Sequence, residues 1–291
     1  MTSSRIYNVV PSVHDERDFF VIPNSFPEPG SDTNVLFSAS ASAQASESAY
    51  ASASPQAVCD LRPLFPPVYD QGNIGSCTAM AVCSVFQYND QSTVVPSRLF
   101  NYYCSRSLQN NMLRDVGSTI KDATQVLFQF GTCSDPVWPY IPSKYAVQPP
   151  HIAYAQASTK RIASYARVTI SAQGIESAIQ AGHPVCIGIL LYDSFVSTTV
   201  QKTGIVKTPN PSKERFLGGH AIVIVGYDRT DPNNPVFIVR NSWGASWGNK
   251  GYCTIPYAYM LNRSLAFDAW IILSGKMLTS PALRVINPRA L

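Results

Sequence analysis

The apolar segments of this chain change character about half way along it, and this order constrains the fold more than any other feature. Residues 76–88 (SCTAMAVCSVFQY) are small and apolar on almost every side, which predicts a helix buried in the core. Residues 120–130 also carry apolar positions at helical spacing. After about residue 165, four runs rich in Val, Ile and Tyr are typical of strands, at 184–191, 220–228, 236–244 and 251–259. Helices first and strands second favour an α+β fold with two lobes over an alternating βαβ fold.

The two ends of the chain differ in composition from its middle. Residues 38–54 are almost wholly Ser and Ala, with too little apolar bulk to offset the entropy of ordering. We therefore predict an N-terminal segment at 1–57 that includes this linker, a folded domain at 58–274 and a C-terminal tail at 275–291. The tail carries basic residues and no acidic residue, and its sequence indicates no role.

Composition excludes some classes of function. The hydrophobic content of 45% is enough for a packed core, and the net charge of +4 comes without a block of Lys or Arg. Nucleic acid and membrane surfaces are therefore not expected partners. The first thirty residues lack the apolar core of a signal peptide, and no apolar run is long enough to span a membrane. We expect a cytoplasmic or otherwise non-classically delivered protein.

One of the seven cysteines stands in a setting suited to a nucleophile. The count is odd, so at least one thiol is unpaired within the chain, and we expect few or no disulfides. Cys77 lies at the start of the helix predicted from residue 76, where the helix dipole favours a thiolate. Gly72 and Gly75 allow the preceding loop to turn tightly. Gln71 could donate a hydrogen bond from its amide to an oxyanion, beside the N–H of Cys77.

A nucleophilic thiol needs a base and a group that orients the base. Of the four histidines, His220 alone begins a strongly apolar strand, after Gly218 and Gly219. Asn241 ends a second apolar strand and precedes two Trp-Gly steps, so its amide could orient the imidazole behind a shield of indole rings. Taken singly, His220 suits a fixed base although a structural histidine stays an alternative, and a structural Asn-Ser turn is the better explanation of Asn241. Only the combination favours catalysis.

Three segments together resemble the signature blocks of the papain-like cysteine peptidases. They are QGNIGSCTAMA at 71–81, GGHAIVIVGYD at 218–228 and RNSWGASWGNKGY at 240–252, in the family's order of Cys, His and Asn. The resemblance implies a papain-like fold, with a helical lobe that carries the nucleophile, a β-barrel-like lobe and a cleft between them. It implies Cys77 as nucleophile, His220 as base, Asn241 as the orienting residue and Gln71 in the oxyanion hole.

The resemblance also implies a set of substrate-binding residues. Gly117 and Ser118 look like the family's segment that pairs with the substrate backbone, and Trp247 looks like the residue on the leaving-group side. Trp243 would cover the bond between Asn241 and His220. The pocket for the substrate's second residue would be lined by Gly188 and Ala221, with Asp268 near its bottom as a bias towards basic groups.

The sequence departs from the family pattern in two places near the nucleophile. Ile74 stands where the family has a cysteine, so the disulfide to the loop near Gly117 is expected to be absent. Thr78 stands where an aromatic residue usually follows the nucleophile. The long inhibitory propeptide is also missing, and we predict that residues 1–57 are a short, removable segment that inhibits the domain.

These residues predict a cysteine-type endopeptidase that hydrolyses polypeptides through a thioester and needs no metal or organic cofactor. An exopeptidase is less favoured because no inserted loop supplies a spare histidine. Two alternatives stay open. One is another Cys-His-Asn acyl-transfer enzyme, a transglutaminase or amidase, and the other is a catalytically dead homologue that acts as a binding module.

Overall fold

The computed structural model describes residues 5–13, 15, 18, 20–23, 56–273 and 283–286. The helices of this part of the chain are α1 (Cys77–Asp90), α2 (Arg98–Ser107), α3 (Ile120–Gln129), α4 (His151–Ala157), α5 (Ala172–Gln180), α6 (Thr198–Thr203) and α7 (Tyr257–Met260). Short 3₁₀ turns lie at Arg62–Leu64, Pro142–Lys144 and Asp193–Val196. Helices α1 to α4 precede all but two of the strands along the chain, so the predicted order of helices and then strands is confirmed.

A single sheet joins the strands of the described residues. Its strands are β1 (Phe20–Pro23), β2 (Val58–Asp60), β3 (Ser164–Val168), β4 (Val185–Tyr192), β5 (Phe216–Asp228), β6 (Val236–Arg240), β7 (Tyr252–Pro256), β8 (Ala266–Leu273) and β9 (Leu283–Ile286). Their order in space is β7-β6-β5-β4-β8-β3-β1-β9, with β2 paired to β5. All neighbours are antiparallel except β1 and β3, which run parallel. The N-terminal segment thus contributes a strand to the sheet of the main body.

Helix α1 is buried on most of its surface, as its small apolar residues predict. Eleven of its fourteen residues are buried, because it is packed between the helical lobe and the sheet. Its side chains divide between two apolar clusters. One cluster joins α1 and α3 to β4, β5 and β8, and the other fills the helical lobe among α1, α2 and α4. The far side of the sheet is covered by α5 and forms a third cluster. The predicted two-lobe α+β fold is confirmed.

Local sequence explains where several elements begin and end. Helices α2, α3 and α5 begin at hydroxyl caps, in which the side chain accepts a hydrogen bond from a backbone N–H three residues on. These caps are Ser97, Thr119 and Ser171. The strand predicted over 251–259 is shorter than expected, because it ends at Pro256, which lacks an N–H for the ladder, and a helical turn follows. Helix α5 lies in the strand-rich half, where no helix was predicted.

A buried arginine fixes the loop between α2 and α3. The Arg106 side chain is 1% exposed, and its Nη1 donates 2.7 Å hydrogen bonds to the carbonyl oxygens of Met112 and Arg114. Its Nη2 donates to the carbonyl oxygen of Tyr145, and its guanidinium lies over the ring of Tyr102, 4.0 Å from the centroid. A planar guanidinium can serve all these acceptors at once, which a lysine ammonium cannot.

We expect Arg106→Lys to lower the free energy of unfolding by about 3 kcal/mol, because buried carbonyl groups lose their donors while a buried charge stays. Urea unfolding followed by circular dichroism measures this loss. Arg263→Lys, at an exposed position, is the matched control and should change stability by less than about 0.5 kcal/mol. Equal stability of the two variants would contradict the structural role of Arg106.

Candidate active site

Cys77 is the first residue of α1 and is fully buried beneath other parts of the chain. The cap residue Ser76 makes no side-chain bond to the helix, because its Oγ is 2.6 Å from the hydroxyl of Tyr140. The N–H groups of the first turn therefore stay available to the thiol. Backbone N–H groups of Ala221, Thr78 and Cys77 all favour the thiolate. The contact with Ala221 brings the thiol next to the residue that follows His220.

Gln71 joins the loop before Cys77 to the segment after Asn241. Its backbone N–H donates to the carbonyl of Ser242 at 2.9 Å, and its Oε1 accepts a 2.7 Å hydrogen bond from the Ser242 hydroxyl. Its Nε2 donates to the carbonyl of Ile74 at 3.1 Å. A side-chain amide has two N–H groups, so one hydrogen stays available after this bond. The Gln71 side chain is thereby held at the junction of the two lobes.

His220 on β5 and Asn241, directly after the end of β6, form a buried pair. Asn241 Oδ1 lies 2.8 Å from His220 Nε2 and also accepts a 2.8 Å hydrogen bond from the N–H of Ser242. This second bond fixes the amide oxygen, so Nε2 of the imidazole carries the hydrogen. Nδ1 of His220 is buried and has no hydrogen-bond partner among the described residues. A lone pair on Nδ1 is what a base for the neighbouring thiol requires.

Aromatic rings enclose this pair. The Trp243 ring lies 4.9 Å from the His220 ring between centroids, and Trp247 meets Trp243 edge to face at 5.1 Å. Phe195 stacks on Trp247 at 5.8 Å. The two indoles and Phe195 are less than 10% exposed, so the imidazole and its amide partner lie in a setting where hydrogen bonds are strengthened.

Asp115 joins the two loops at the point where the expected disulfide is missing. Its Oδ1 accepts a 3.0 Å hydrogen bond from the N–H of Gly75 and a second from the hydroxyl of Tyr102. The same hydroxyl accepts from the N–H of Gly117 at 3.2 Å. Ile74 is buried, and every cysteine of the described residues is free. No motif marks Asp115 or Tyr102, and the structure alone brings them to the loop of the nucleophile.

The remaining predicted substrate residues lie along the cleft in different settings. Gly117 has φ of +75° and faces the cleft, whereas the Ser118 hydroxyl points into the helical lobe and lies 2.6 Å from that of Thr78. Ala221 is buried in the cluster that contains Cys77. Gly188 pairs with Ala221 across β4 and β5, but the ring of Phe267 lies over it. Phe267, which was not predicted, therefore forms the surface at that position.

Asp268 lies on β8 with its carboxylate already engaged. Its Oδ1 accepts hydrogen bonds from Arg167 Nη1 at 2.9 Å and from the Ser12 hydroxyl at 2.7 Å, and Oδ2 accepts from the N–H of Ser12. The backbone at Asp268 is left-handed, with φ of +51°. While these contacts hold, the carboxylate offers no free charge to a basic substrate group. A bias of this pocket towards basic groups stays a prediction.

Residues near the N-terminus cover the site. We call residues 5–13, 15 and 18 the strap. Asn8 of the strap forms an isolated parallel β-bridge with Gly219, and Val9 donates its N–H to the Gly219 carbonyl at 3.1 Å. The Tyr7 ring lies 6.2 Å from His220, and Val9 is 4% exposed within the cluster of Cys77. Both Cys77 and His220 have no exposed surface.

Glycines make this close approach possible. A Cβ atom at Gly117 would lie 2.2 Å from the carbonyl oxygen of Asn8, and one at Gly219 would lie 2.0 Å from that of Val9. Both distances are shorter than any real contact, so only glycine lets the strap lie against these two backbones. The predicted substrate segment at Gly117 is therefore occupied by the chain itself.

Burial beneath the strap shifts both reacting groups towards their neutral forms. Loss of water around the thiol raises the pKa of Cys77 to about 11, although backbone N–H groups oppose the shift. The same loss of water lowers the pKa of His220 to about 4, against the effect of its bond to Asn241, and the charge of Arg5 lowers it further. The covered site thus holds a thiol and a neutral imidazole.

Comparisons with known proteins agree on one family. The model of the papain family of cysteine proteases matches residues 56–264. An uncharacterized peptidase C1-like protein of Acanthamoeba polyphaga mimivirus is 37% identical over 75% of this chain and 72% of its own length. A cathepsin L-like proteinase of Fasciola hepatica is 28% identical over 64% of this chain, which spans only 55% of that proteinase. The crystal structure of xylellain, a cysteine protease from Xylella fastidiosa, is similar with a TM-score of 0.76 and 30% identity, and covers 94% of this chain and 97% of its own.

We expect the rate at which iodoacetamide alkylates Cys77 to keep rising from pH 8 to pH 10, because a thiol with a pKa of about 11 is still gaining thiolate there. Peptide mass mapping reports the modification at Cys77 alone. In the urea-unfolded chain, the same thiol is exposed and has its ordinary pKa of 9.0, so alkylation at pH 8 should be at least about 100-fold faster. A plateau below pH 9 in the folded chain would contradict the buried, neutral thiol.

Proposed function

The chain belongs to the papain family of cysteine proteases, and on that premise we propose that it is an endopeptidase whose nucleophile is Cys77 and whose base is His220. The observation that carries the proposal is the buried pair of His220 and Asn241. It presents an unpartnered Nδ1 on the strand that passes the thiol. The family acts on polypeptides, and the endopeptidase character and the residue roles are our proposal.

In the first half of the reaction, the Cys77 sulfur attacks the carbonyl carbon of a peptide bond. The proton of the thiol passes to Nδ1 of His220, and the carbonyl oxygen gains negative charge that the N–H of Cys77 and the Gln71 amide would stabilise. The imidazolium then donates its proton to the leaving nitrogen, and the C–N bond breaks. A thioester on Cys77 and a free amine result.

In the second half, water attacks the carbonyl carbon of the thioester. His220 takes a proton from the water at Nδ1, while Asn241 keeps the ring in the orientation that both halves require. The C–S bond breaks, the carboxylic acid leaves and the sulfur regains a proton. Every proton is transferred by groups of this chain or by water.

Two alternatives are less favoured. The comparisons support a cysteine protease and not a transglutaminase or amidase. A catalytically dead binding homologue would not need to keep Gln71, Cys77, His220 and Asn241 in hydrogen-bonding or packing contact across two lobes. The geometry of these residues supports our proposal of a competent acyl-transfer site.

We further propose that the strap inhibits the site and must leave before substrate binds. It occupies the surface of Gly117 and Gly219 and seals the thiol from water. Its first anchor is Arg5, which pairs with Asp70 at 3.2 Å and lies 5.2 Å over the Trp243 ring. The chain that follows the strap joins the sheet, since β1 pairs with β3 and β9. A cut in the Ser/Ala linker would leave all these contacts in place.

The direction of the strap explains why it is not a substrate. The resemblance implies that the leaving-group side of the cleft is the side of Trp247, so a substrate would run from Asp268 towards the tryptophans. The strap runs the other way, with Arg5 beside Trp243 and Ser12 on Asp268. A reversed peptide presents its carbonyl and nitrogen to Cys77 and His220 in the wrong order.

An epoxide-type inhibitor of thiol proteases tests the assignment of the nucleophile. We expect slow covalent labelling of the wild-type chain at Cys77, at the rate at which the strap transiently leaves the cleft, and none of Cys77→Ala, because the other thiols lack an adjacent imidazole. Cys83→Ala is the matched control, since Cys83 lies in the same helix and is equally buried, and it should label like wild type. Equal labelling of wild type and Cys77→Ala would contradict the proposal.

Val9→Asp tests inhibition by the strap. A carboxylate at this buried position lacks a cation to pair with, so we expect the strap to be displaced and peptide hydrolysis by the full chain to rise at least about tenfold. Val13→Asp is the control, because Val13 is 86% exposed and lies in the same strap. Hydrolysis is measured with a fluorogenic peptide. An unchanged rate in Val9→Asp, in a chain that still labels at Cys77, would refute the inhibitory role.

A further inference from the structure

Beyond the proposed site of bond cleavage, the strap follows a track across several strands of the sheet. It passes Gly219 on β5, then Asp268 on β8 and then Arg167 on β3, and these strands lie in that spatial order with β4 between the first two. Helix α3 forms the opposite wall. The track continues well beyond the pocket at Ala221, and a peptide that fills the cleft and extends past Asp268 would enter it.

Two cations lie at the far end of this track, and the strap brings two carboxylates to them. Lys121 on α3 pairs with Asp18 at 2.7 Å and with Asp15 at 3.3 Å. Arg167 pairs with the same Asp18 at 2.9 Å. The side chains of Lys121 and Arg167 are only 12% and 13% exposed, and that of Asp18 is 3% exposed. Partly buried pairs of this kind are screened less by salt than surface pairs.

After the strap leaves, Arg167 and Lys121 differ in the partners that they keep. Arg167 keeps its 2.9 Å bond to Asp268 and its position over the Trp270 ring. Lys121 loses both of the ion pairs that it makes among the described residues. The neighbouring carboxylate of Asp122 is held by hydrogen bonds from Thr119 and Gln109 and by the start of α3. Asp122 still lies close enough to Lys121 to feel its charge, and the Lys121 ammonium can then pair with a carboxylate of a peptide that takes the place of the strap.

There is room beside Lys121 for an extended chain. A cavity of about 860 Å³ lies between the strap and α3. Its walls combine strap residues, which leave, with polar groups of the body, which stay, namely Gln109, Thr119, Lys121, Asp122 and Gln125. Removal of the strap would widen this cavity into an open groove that leads from the cleft to Lys121.

We propose that Lys121 and Arg167 form an exosite for acidic side chains of the substrate, an inference that rests on the proposed function. The implied leaving-group side lies at the tryptophans, so the groove receives the part of the substrate that is N-terminal to the scissile bond. In the strap, Asp15 and Asp18 follow Val9 by about six and nine residues. This spacing gives the number of residues that an extended chain needs to reach from the pocket to the exosite. The favoured substrates are polypeptides with carboxylates at that distance.

The test uses the full chain with Val9→Asp, Asp15→Asn and Asp18→Asn, so that the strap neither covers the cleft nor occupies the exosite. Two peptides share one cleavage sequence and differ only in two Asp or two Asn residues at the expected distance N-terminal to it. We expect kcat/KM to be about fivefold higher for the Asp peptide, mainly through KM, and the ratio to fall as salt is added. Adding Lys121→Gln should bring the ratio close to one, whereas Lys213→Gln, an exposed control, should preserve it.

A binding measurement keeps the exosite separate from catalysis. Fluorescence anisotropy compares a labelled peptide of residues 5–18 with its Asp15→Asn and Asp18→Asn version, each titrated with the same released chain. We expect about fivefold weaker binding of the amide version, and no difference between the peptides in Lys121→Gln. Equal affinities, or equal kcat/KM for the two substrates, would overturn the exosite. Absence of hydrolysis with a clear difference in binding would instead count against the proposed function and support the exosite.

Discussion

The packing of α1 between the two lobes is the constraint on which the rest of the structure depends. A helix with small apolar residues on nearly all sides gains free energy only if both of its faces are covered, and the sheet and the helical lobe supply one cover each. Burial fixes the first turn of the helix against β5. The thiol of Cys77 and His220 on β5 are thereby brought close together, with the N–H of Ala221 directed at the sulfur.

Hydrogen bonds between the loops then fix the positions of the groups that this packing brings together. Gln71 and Ser242 join the loops of the two lobes, and Asp115 joins the nucleophile loop to Gly117. Buried polar networks of this kind hold a site rigidly when every member is satisfied. The bonds of Asp115 connect the same loops that the family's disulfide is expected to connect, so the geometry survives in a part of the chain whose cysteines are all free.

In the inhibition that we propose, the strap changes the solvent around the site as well as the access to it. Water is removed from Cys77 and His220 together, and each group moves to its neutral form. We expect an ion pair of thiolate and imidazolium to become favourable only when water or substrate replaces the strap. The contacts of the strap are spread from Arg5 to Asp18, so the energy that holds it is shared among an aromatic ring, an apolar pocket and ion pairs.

The sequence by itself determined α1, the main strands and the family of the chain, and it predicted the residues that we propose for the chemistry of the site. The apolar run at 76–88 predicted α1, and the three motifs predicted the order of Cys77, His220 and Asn241, because helical burial and a nucleophile with its base leave local patterns. Helix α5 and the early end of β7 were not predicted, since tertiary packing and a single proline decided them.

Only the tertiary structure decided which distant groups meet at the site. Asp115, Tyr102 and Phe267 carry no motif and act through neighbours far away along the chain. A short N-terminal inhibitor was predicted from the family resemblance and the Ser/Ala linker, and its path over Gly117 and Gly219 was not. Contacts between residues remote in sequence depend on how the two lobes pack against each other, and no local sequence pattern encodes that packing.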